Sequence, residues 1–164
     1  MCRFKKAFTI VELIIVVFIL SIVSMIAIPM LSSAADTQVR SAANILAADI
    51  EYTKNLAITH QENYSVVFDS SNHTYEIRDK YSNVIDHPVT GKPYSVNFPN
   101  ESRLSRVRIS SALFDGSNVL TFDYLGSPYN GLSSPLNSGE IILDADGFSM
   151  TIEVQAVTGY LTIK

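Results

Sequence analysis

The chain has 164 residues, with 12 lysines and arginines against 16 aspartates and glutamates and a single cysteine, Cys2. That length accommodates one domain of modest size with a single core. Beyond residue 31 the balance is nine basic to fifteen acidic side chains, which does not favour nucleic acid or anionic lipid as a partner, and the lack of further cysteines excludes a disulfide-stapled domain.

The first predicted element is a membrane-spanning helix near the N-terminus. Residues 13–31 form an apolar stretch whose only polar members are Ser21 and Ser24. At about 1.5 Å per residue its length approximates the ~30 Å hydrocarbon core of a bilayer. Three basic residues precede the stretch and none follows it until Arg40. This asymmetry predicts a cytoplasmic N-terminus and a C-terminal domain outside the membrane.

An amphipathic helical segment continues the apolar run without a break. Residues 34–60 contain neither glycine nor proline, and one stripe of side chains recurs at steps of three or four: Val39, Ala42, Leu46, Ile50, Thr53, Ala57 and His60. The pattern predicts one helix over about residues 8–60, roughly 80 Å long at the standard rise. Pro29 removes a backbone donor within it, so a kink is expected there.

Beyond residue 62 the hydrophobic period changes from 3.6 to 2, which indicates β-strands. The predicted strands are 64–68, 74–78, 94–98, 106–110, 119–124, 139–144, 148–154 and 160–163. Residues 126–139, rich in Ser, Pro, Asn and Gly, are predicted to form a surface loop. The stripe of the helix has to pack on the apolar face of the sheet. The predicted fold is therefore α+β, a long N-terminal helix packed on an antiparallel β-sheet head.

Glu12 is the one charged residue inside the apolar run. An acidic residue deep in a membrane helix costs ~2.5–3.5 kcal/mol, so such residues usually face a partner. A boundary residue that reaches back to the headgroups is the alternative explanation. Cleavage between Ala7 and Phe8 would free an α-amino group close to this carboxylate. Between parallel helices displaced by one subunit step, the amine of one chain could meet Glu12 of the next, and the low dielectric would make that contact strong.

The segment KKAFTIVEL, residues 5–13, resembles the cleavage motif of type IV prepilins and type II secretion pseudopilins. The resemblance implies that a prepilin peptidase removes a leader ending at Ala7 and methylates the new amine of Phe8. It further implies that Thr9 and Glu12 serve assembly, and Pro29 matches a proline that these helices usually carry. The chain departs from the family pattern at Ala7, where Gly is strongly preferred. Alanine is the nearest substitute, and processing is expected.

The C-terminal half resembles the H-type pseudopilin (GspH) and FimT-like minor pilin group. In that group a strand ending in Phe-Asp is followed by a Gly-Pro loop, two strands and a terminal strand introduced by Thr-Gly. The matching positions in this chain are Phe122-Asp123, Gly126, Pro128 and Thr158-Gly159. This second match is looser, because it consists mostly of strand pattern and turn residues.

These observations predict four segments: a leader (1–7), a transmembrane and assembly helix (8–33), an amphipathic helix of the head (34–62) and a β-rich globular head (63–164). The expected protein is a minor pilin or pseudopilin, a structural subunit of a type II secretion pseudopilus or a type IV pilus. Its expected partners are the prepilin peptidase, other pilins or pseudopilins and the inner-membrane assembly platform. It is expected to cross the bacterial inner membrane once and then to enter the filament. Secretion, motility and DNA uptake are not distinguished by the sequence.

An ordinary signal peptide is the main alternative. Ser33-Ala34-Ala35 is an acceptable cleavage site before Asp36, which would release a β-rich binding module. Against this, the apolar run exceeds the usual ~7–15 residues and the helical stripe continues through the proposed cut. A DNA-uptake receptor is a further alternative, because Arg106 and Arg108 share a predicted strand face with Arg103 nearby. In a head with net charge −6, a solvated strand face is the better explanation.

An enzymatic function is not expected. His60, His73 and His87 are isolated in the sequence, and there is neither a cysteine nucleophile beyond Cys2 nor a phosphate-binding glycine motif. Residues 144–147, Asp-Ala-Asp-Gly, lack the ligands of a 12-residue calcium loop and fit a hairpin turn. The sequence therefore predicts no catalytic residue, no metal site and no cofactor.

Overall fold

The structure is a computed structural model that describes residues 9–164, apart from the side chains of residues 26–33. Its elements in chain order are α1 (Ile10–His60), β1 (Tyr64–Asp69), β2 (Thr74–Arg78), β3 (Ser95–Asn97), a 3-10 turn (Phe98–Asn100), β4 (Arg108–Phe114), β5 (Val119–Phe122), β6 (Pro128–Asn130), β7 (Gly139–Ala145), β8 (Phe148–Val154) and β9 (Leu161–Ile163). The chain divides into two compact units, residues 1–34 and 35–164, which are described separately.

In the first unit, α1 begins after Thr9. The Thr9 hydroxyl accepts a hydrogen bond from the Glu12 amide (3.2 Å), which satisfies one of the free N–H groups of the first turn. Within the described part of the chain, no helix reaches the combination of length and hydropathy expected of a membrane span. The predicted span of residues 8–33 includes Phe8 and the side chains of 26–33, which lie outside the described residues. The kink predicted at Pro29 lies there too and stays a prediction.

In the second unit, the remainder of α1 packs against two antiparallel sheets. The five-stranded sheet has the order β3-β2-β1-β5-β6, and the four-stranded sheet has the order β4-β7-β8-β9. Of the predicted helical stripe, the six residues from Val39 to Ala57 are fully buried and His60, at the end of the helix, is exposed. The predicted helix on an antiparallel head is confirmed, but the strands form two sheets instead of one.

The two sheets meet through aromatic side chains. β4 and β5 are consecutive in the chain but belong to different sheets. The chain turns between them at residues 114–117, where the Phe114 amide donates to the Ser117 carbonyl. Phe114 lies 5.5 Å from Phe68 of β1, measured between ring centroids. Both rings are fully buried, so the junction of the sheets is part of the common core.

The strands with strict alternation are found where the sequence predicts them. β1 and β2 form the first hairpin, with Asp69 opposite Thr74, and β7 and β8 form a second, with Ala145 opposite Phe148. The second hairpin closes through Asp146 (φ 49°) and Gly147 (φ 91°). Positive φ at both central residues is the geometry that suits the right-handed twist of paired strands.

Three predictions of detail are wrong. The strand predicted at 94–98 is shortened to Ser95–Asn97, because a 3-10 turn begins at Phe98. The strand predicted at 106–110 begins only at Arg108, because successive turns occupy residues 101–107. The segment 126–139 is not simply a surface loop: it contains β6, which pairs with β5, and Leu136, which is buried.

Candidate functional site

The N-terminal segment holds the predicted processing and assembly residues. Ala7 and Phe8 lie outside the described residues, so the structure gives no geometry for the cleavage site. Glu12 is exposed in the first turn of α1, and its carboxylate has neither a hydrogen-bond nor an ion-pair partner among residues 9–164. The pairing of this carboxylate with a methylated amine therefore stays a prediction.

Apart from Glu12, the surface of α1 between Ile10 and Met25 is apolar on every side. The exposed large apolar side chains there are Ile10, Val11, Leu13, Ile14, Ile15, Val16, Val17, Phe18, Ile19, Leu20, Ile22, Val23 and Met25. The two serines do not interrupt this surface: Ser21 Oγ donates to the Phe18 carbonyl (2.7 Å) and Ser24 Oγ to the Leu20 carbonyl (2.8 Å). Because both hydroxyls are satisfied within the helix, the segment is suited to lipid or to other apolar helices.

In the head, the residues that carry the C-terminal resemblance come together. Gly159 has φ 60°, and a Cβ there would lie 2.8 Å from the Phe122 ring and 3.4 Å from the Gly126 carbonyl oxygen. Gly126 has φ 81°, and a Cβ there would lie 2.9 Å from Ile58 of α1. Lys54 Nζ donates to the Gly159 carbonyl at 3.4 Å. Two loops and the helix are thus in contact at positions that leave no room for a side chain.

Asp123 stabilises the β5–β6 loop, the first of these two loops, by accepting hydrogen bonds from it. Its Oδ1 accepts the amide N–H groups of Leu125 (2.9 Å) and Ser127 (2.8 Å), and the Gly126 amide donates to its carbonyl (2.9 Å). Pro128 is buried and begins β6 immediately after the loop. The Phe-Asp, Gly-Pro and Thr-Gly positions therefore form one structural junction between the β5–β6 loop, the β8–β9 loop and α1.

Gly159→Ala is expected to destabilise the head by about 1–3 kcal/mol, since a Cβ would both strain a positive φ and overlap the Phe122 ring. The measurement is thermal unfolding of the full chain by circular dichroism. Gly147→Ala is the matched control, because Gly147 also has a positive φ (91°) but nothing lies within 4 Å of its Cβ position. Equal losses in the two variants would show that the contact with Phe122 has no effect.

A partly buried polar cluster around Asp49 was not found from the sequence. Tyr75 and Tyr94 donate their hydroxyls to the two carboxylate oxygens of Asp49, at 2.5 and 2.9 Å. Burial raises the pKa of Asp49, and the two tyrosine hydroxyls oppose that shift in part. Burial and the neighbouring carboxylate raise the pKa of Tyr75. The cluster ties β2 and the segment before β3 to α1. A tyrosine at an inward-facing strand position, such as Tyr75, is a signal that a polar partner is required.

The arginines considered as a nucleic-acid patch are not arranged as predicted. Arg106 precedes β4, so it does not share a strand face with Arg108, and its Nη1 lies 3.0 Å from Asp146 Oδ2. Arg108 Nη1 donates to the carbonyls of Ser105 and Val107, both at 2.8 Å. Two of the three arginines are thus engaged by neighbouring protein groups. Among residues 9–164 no group of three histidine, cysteine, aspartate or glutamate side chains is placed to hold a metal ion.

Comparison with known proteins gives a sequence match at the N-terminus and matches in fold over most of the chain. Residues 2–28 match the family described as the prokaryotic N-terminal methylation motif. By sequence, no curated protein matches the chain. The fold is similar to that of the minor pseudopilin EpsH from the type 2 secretion system of Vibrio cholerae, with a TM-score of 0.57 and 9% identity over 77% of this chain and 96% of EpsH.

The fold is also similar to that of the type IV minor pilin FimU of Pseudomonas aeruginosa, with a TM-score of 0.51 and 12% identity over 78% of this chain and 89% of FimU. At these identities the likeness shows a shared fold, which is pilin-like. The chain thus combines a prepilin methylation motif with a pilin-like fold. The methylation motif covers the residues that carry the N-terminal resemblance, and the shared fold confirms the predicted architecture.

Proposed function

We propose that this protein is a minor pilin or pseudopilin, a structural subunit and not an enzyme, that assembles into a type II secretion pseudopilus or a type IV pilus through its N-terminal helix. The observation that carries the proposal is the presence of the methylation motif and the pilin-like fold in one chain. The precursor is anchored in the bacterial inner membrane with its N-terminus in the cytoplasm and its head outside. The helix then exchanges lipid for neighbouring helices.

In this proposal each N-terminal residue has a separate function. The prepilin peptidase cleaves after Ala7 and methylates Phe8, and the inner-membrane assembly platform brings the subunit to other pilins or pseudopilins. Thr9 begins the helix, since its hydroxyl accepts the Glu12 amide. The Glu12 carboxylate, which has no partner among residues 9–164, pairs with the methylated amine of a neighbouring subunit.

The environment of Ala35 argues against release by an ordinary signal peptidase. Ala35 is fully buried in the core of the head. α1 continues from Ala35 into Asp36, whose carboxylate lies 2.9 Å from Arg40 Nε one helical turn later. A cut before Asp36 would divide the helix and remove a core residue. These contacts favour the pilin interpretation over a secreted or membrane-tethered binding module.

The mature protein is expected to begin at N-methyl-Phe8. Intact-mass and N-terminal peptide mass spectrometry of the membrane-extracted protein measure this directly, in cells with and without the prepilin peptidase. Ala7→Gly is expected to raise the processed fraction, because the family strongly prefers glycine before the cut. A mature chain that begins at Asp36, or one that keeps Met1 in the presence of the peptidase, would contradict the proposal.

A further inference from the structure

A cleft of about 640 Å³, lined by both polar and apolar groups, lies on the outward face of the five-stranded sheet. Along β1, β5 and β6 alternate residues point into the core, while the intervening ones line this cleft. Ser65, Thr121 and Tyr129 are such outward residues, and Tyr64, on the inward side at the start of β1, also lines the cleft. We call this groove the sheet cleft. Its volume falls within the ~300–1,000 Å³ that is typical of sites for small ligands.

Three loops of the same shape border the sheet cleft, at residues 79–83, 123–127 and 130–134. In each, the side-chain oxygen of the first residue accepts the amides of the third and fifth, at 2.8–3.0 Å. In each, the fourth residue has a positive φ and the amide of the first residue donates to the carbonyl of the fifth. The edges of the cleft are therefore fixed by internal hydrogen bonds, so the site exists before any ligand arrives.

The charges of the sheet cleft disfavour an anionic ligand. Arg78 and Lys80 line it, but Arg78 Nη2 lies 2.8 Å from Glu76 and Lys80 Nζ lies 2.7 Å from Glu62. Because each cation already has a carboxylate, neither offers an unpaired positive charge to a phosphate or a carboxylate. Aspartates 79 and 123 also line the cleft, so its formal charges balance.

The hydroxyl groups of the sheet cleft have unused hydrogen-bonding capacity. Within residues 9–164 none of the hydroxyls of Tyr64, Ser65, Thr121 and Tyr129 has a hydrogen-bond partner. Each can both donate and accept. Burial raises the pKa of Tyr64, helped by Glu62 and Asp79, so its hydroxyl remains a donor at neutral pH. The ring of Tyr129 adds an apolar face beside these hydroxyls.

We propose that the sheet cleft binds a neutral saccharide of two or three units. A pyranose ring carries hydroxyls at its edge and C–H groups on its faces, so it matches a surface on which free hydroxyls lie beside the aromatic ring of Tyr129. The paired cations exclude an anion as the preferred ligand, and the hydroxyls, which would lose hydrogen bonds to water, exclude a hydrocarbon chain. This site is separate from the N-terminal helix through which the subunit is proposed to assemble.

The test is saturation-transfer NMR on the full chain, held in a detergent without a sugar headgroup, with chitotriose and maltotriose as probes and glycerol as the acyclic control. At least one trisaccharide is expected to receive saturation while glycerol does not. Tyr129→Ala is expected to weaken binding about tenfold and Thr121→Val about threefold to tenfold, from the loss of a ring face and of one hydrogen bond.

Two further variants keep the result interpretable. Tyr160→Ala removes an exposed tyrosine outside the sheet cleft and is expected to leave binding unchanged. Tyr129→Phe keeps the ring, and is expected to retain more affinity than Tyr129→Ala. The proposal is overturned if neither trisaccharide receives more saturation than glycerol, or if binding is the same in wild type, Tyr129→Ala and Thr121→Val. Circular dichroism of each variant confirms that the head is folded.

Discussion

Glu12→Ala is expected to leave cleavage and methylation at Phe8 intact while sharply lowering the fraction of protein recovered in filaments. In the proposed filament the carboxylate meets an amine in a medium of low dielectric constant. Removal of one partner of a buried pair typically costs ~3–5 kcal/mol, because the other charge stays buried and alone. The membrane precursor does not make this contact, so insertion should persist. The measurement is the ratio of protein in sheared filaments to protein in membranes, by quantitative immunoblot.

Two other variants separate charge from shape. Glu12→Gln keeps the volume and loses the charge, so it should assemble as poorly as Glu12→Ala. Ser24→Ala removes a hydroxyl that bonds only to its own helix, at the Leu20 carbonyl, and should assemble like wild type. Normal assembly of Glu12→Ala, with processing intact, would refute a role for the carboxylate in subunit contacts.

Asp49→Ala is expected to destabilise the head by about 3 kcal/mol, because two tyrosine hydroxyls lose a charged acceptor and hydrogen bonds to charged groups contribute about 1.5–3 kcal/mol each. In a domain of this size the corresponding fall in Tm is about 10 °C. Thermal unfolding of the full chain measures it. Glu140→Ala, which removes an exposed strand carboxylate, is the matched control and should change Tm little.

The raised pKa of Asp49 gives the free energy of unfolding of the head a recognisable pH dependence. Because the folded state holds the proton more tightly than the unfolded chain, the stabilisation linked to protonation is fully present below the unfolded value of about 3.8. It is lost as the pH rises through the folded pKa. The free energy of unfolding of wild type relative to Asp49→Asn should therefore decrease as the pH rises above 3.8 and then level off. A difference that is flat with pH would show that Asp49 does not titrate differently in the fold.

The parts of the fold that follow from local pattern were predictable. The buried stripe of α1 and the alternation of β7 and β8 each depend on side chains close together in the sequence. β6 was missed because a short strand that begins with Pro128 has a composition typical of a loop, and proline is tolerated only at a strand edge or start. The late start of β4 depends on turns at residues 101–107, which no hydrophobic period signals.

The candidate sites also differ in whether local sequence pattern was enough to predict them. Glu12 was identifiable because a charge inside an apolar run is costly wherever the chain folds. Asp49 was not, because its tyrosine partners lie 26 and 45 residues away and only the assembled sheet brings them to the helix. The sheet cleft brings together residues from three separate stretches of the sequence, 63–67, 78–82 and 119–133. Its outward hydroxyls look like ordinary surface residues until the strand order is known.

Ser21 and Ser24 donate their hydroxyls to carbonyls of their own helix, which has a consequence for how the subunit moves. Between Leu13 and Met25 the helix offers no outward hydroxyl that a neighbour would have to match, so no rotation about its axis is preferred by polar contacts in this stretch. In the proposed pathway the segment can leave a bilayer and enter a bundle, and turn on its axis as it does so, without breaking a single lateral hydrogen bond. Alignment along the filament is then left to the charged end of the helix and to the head.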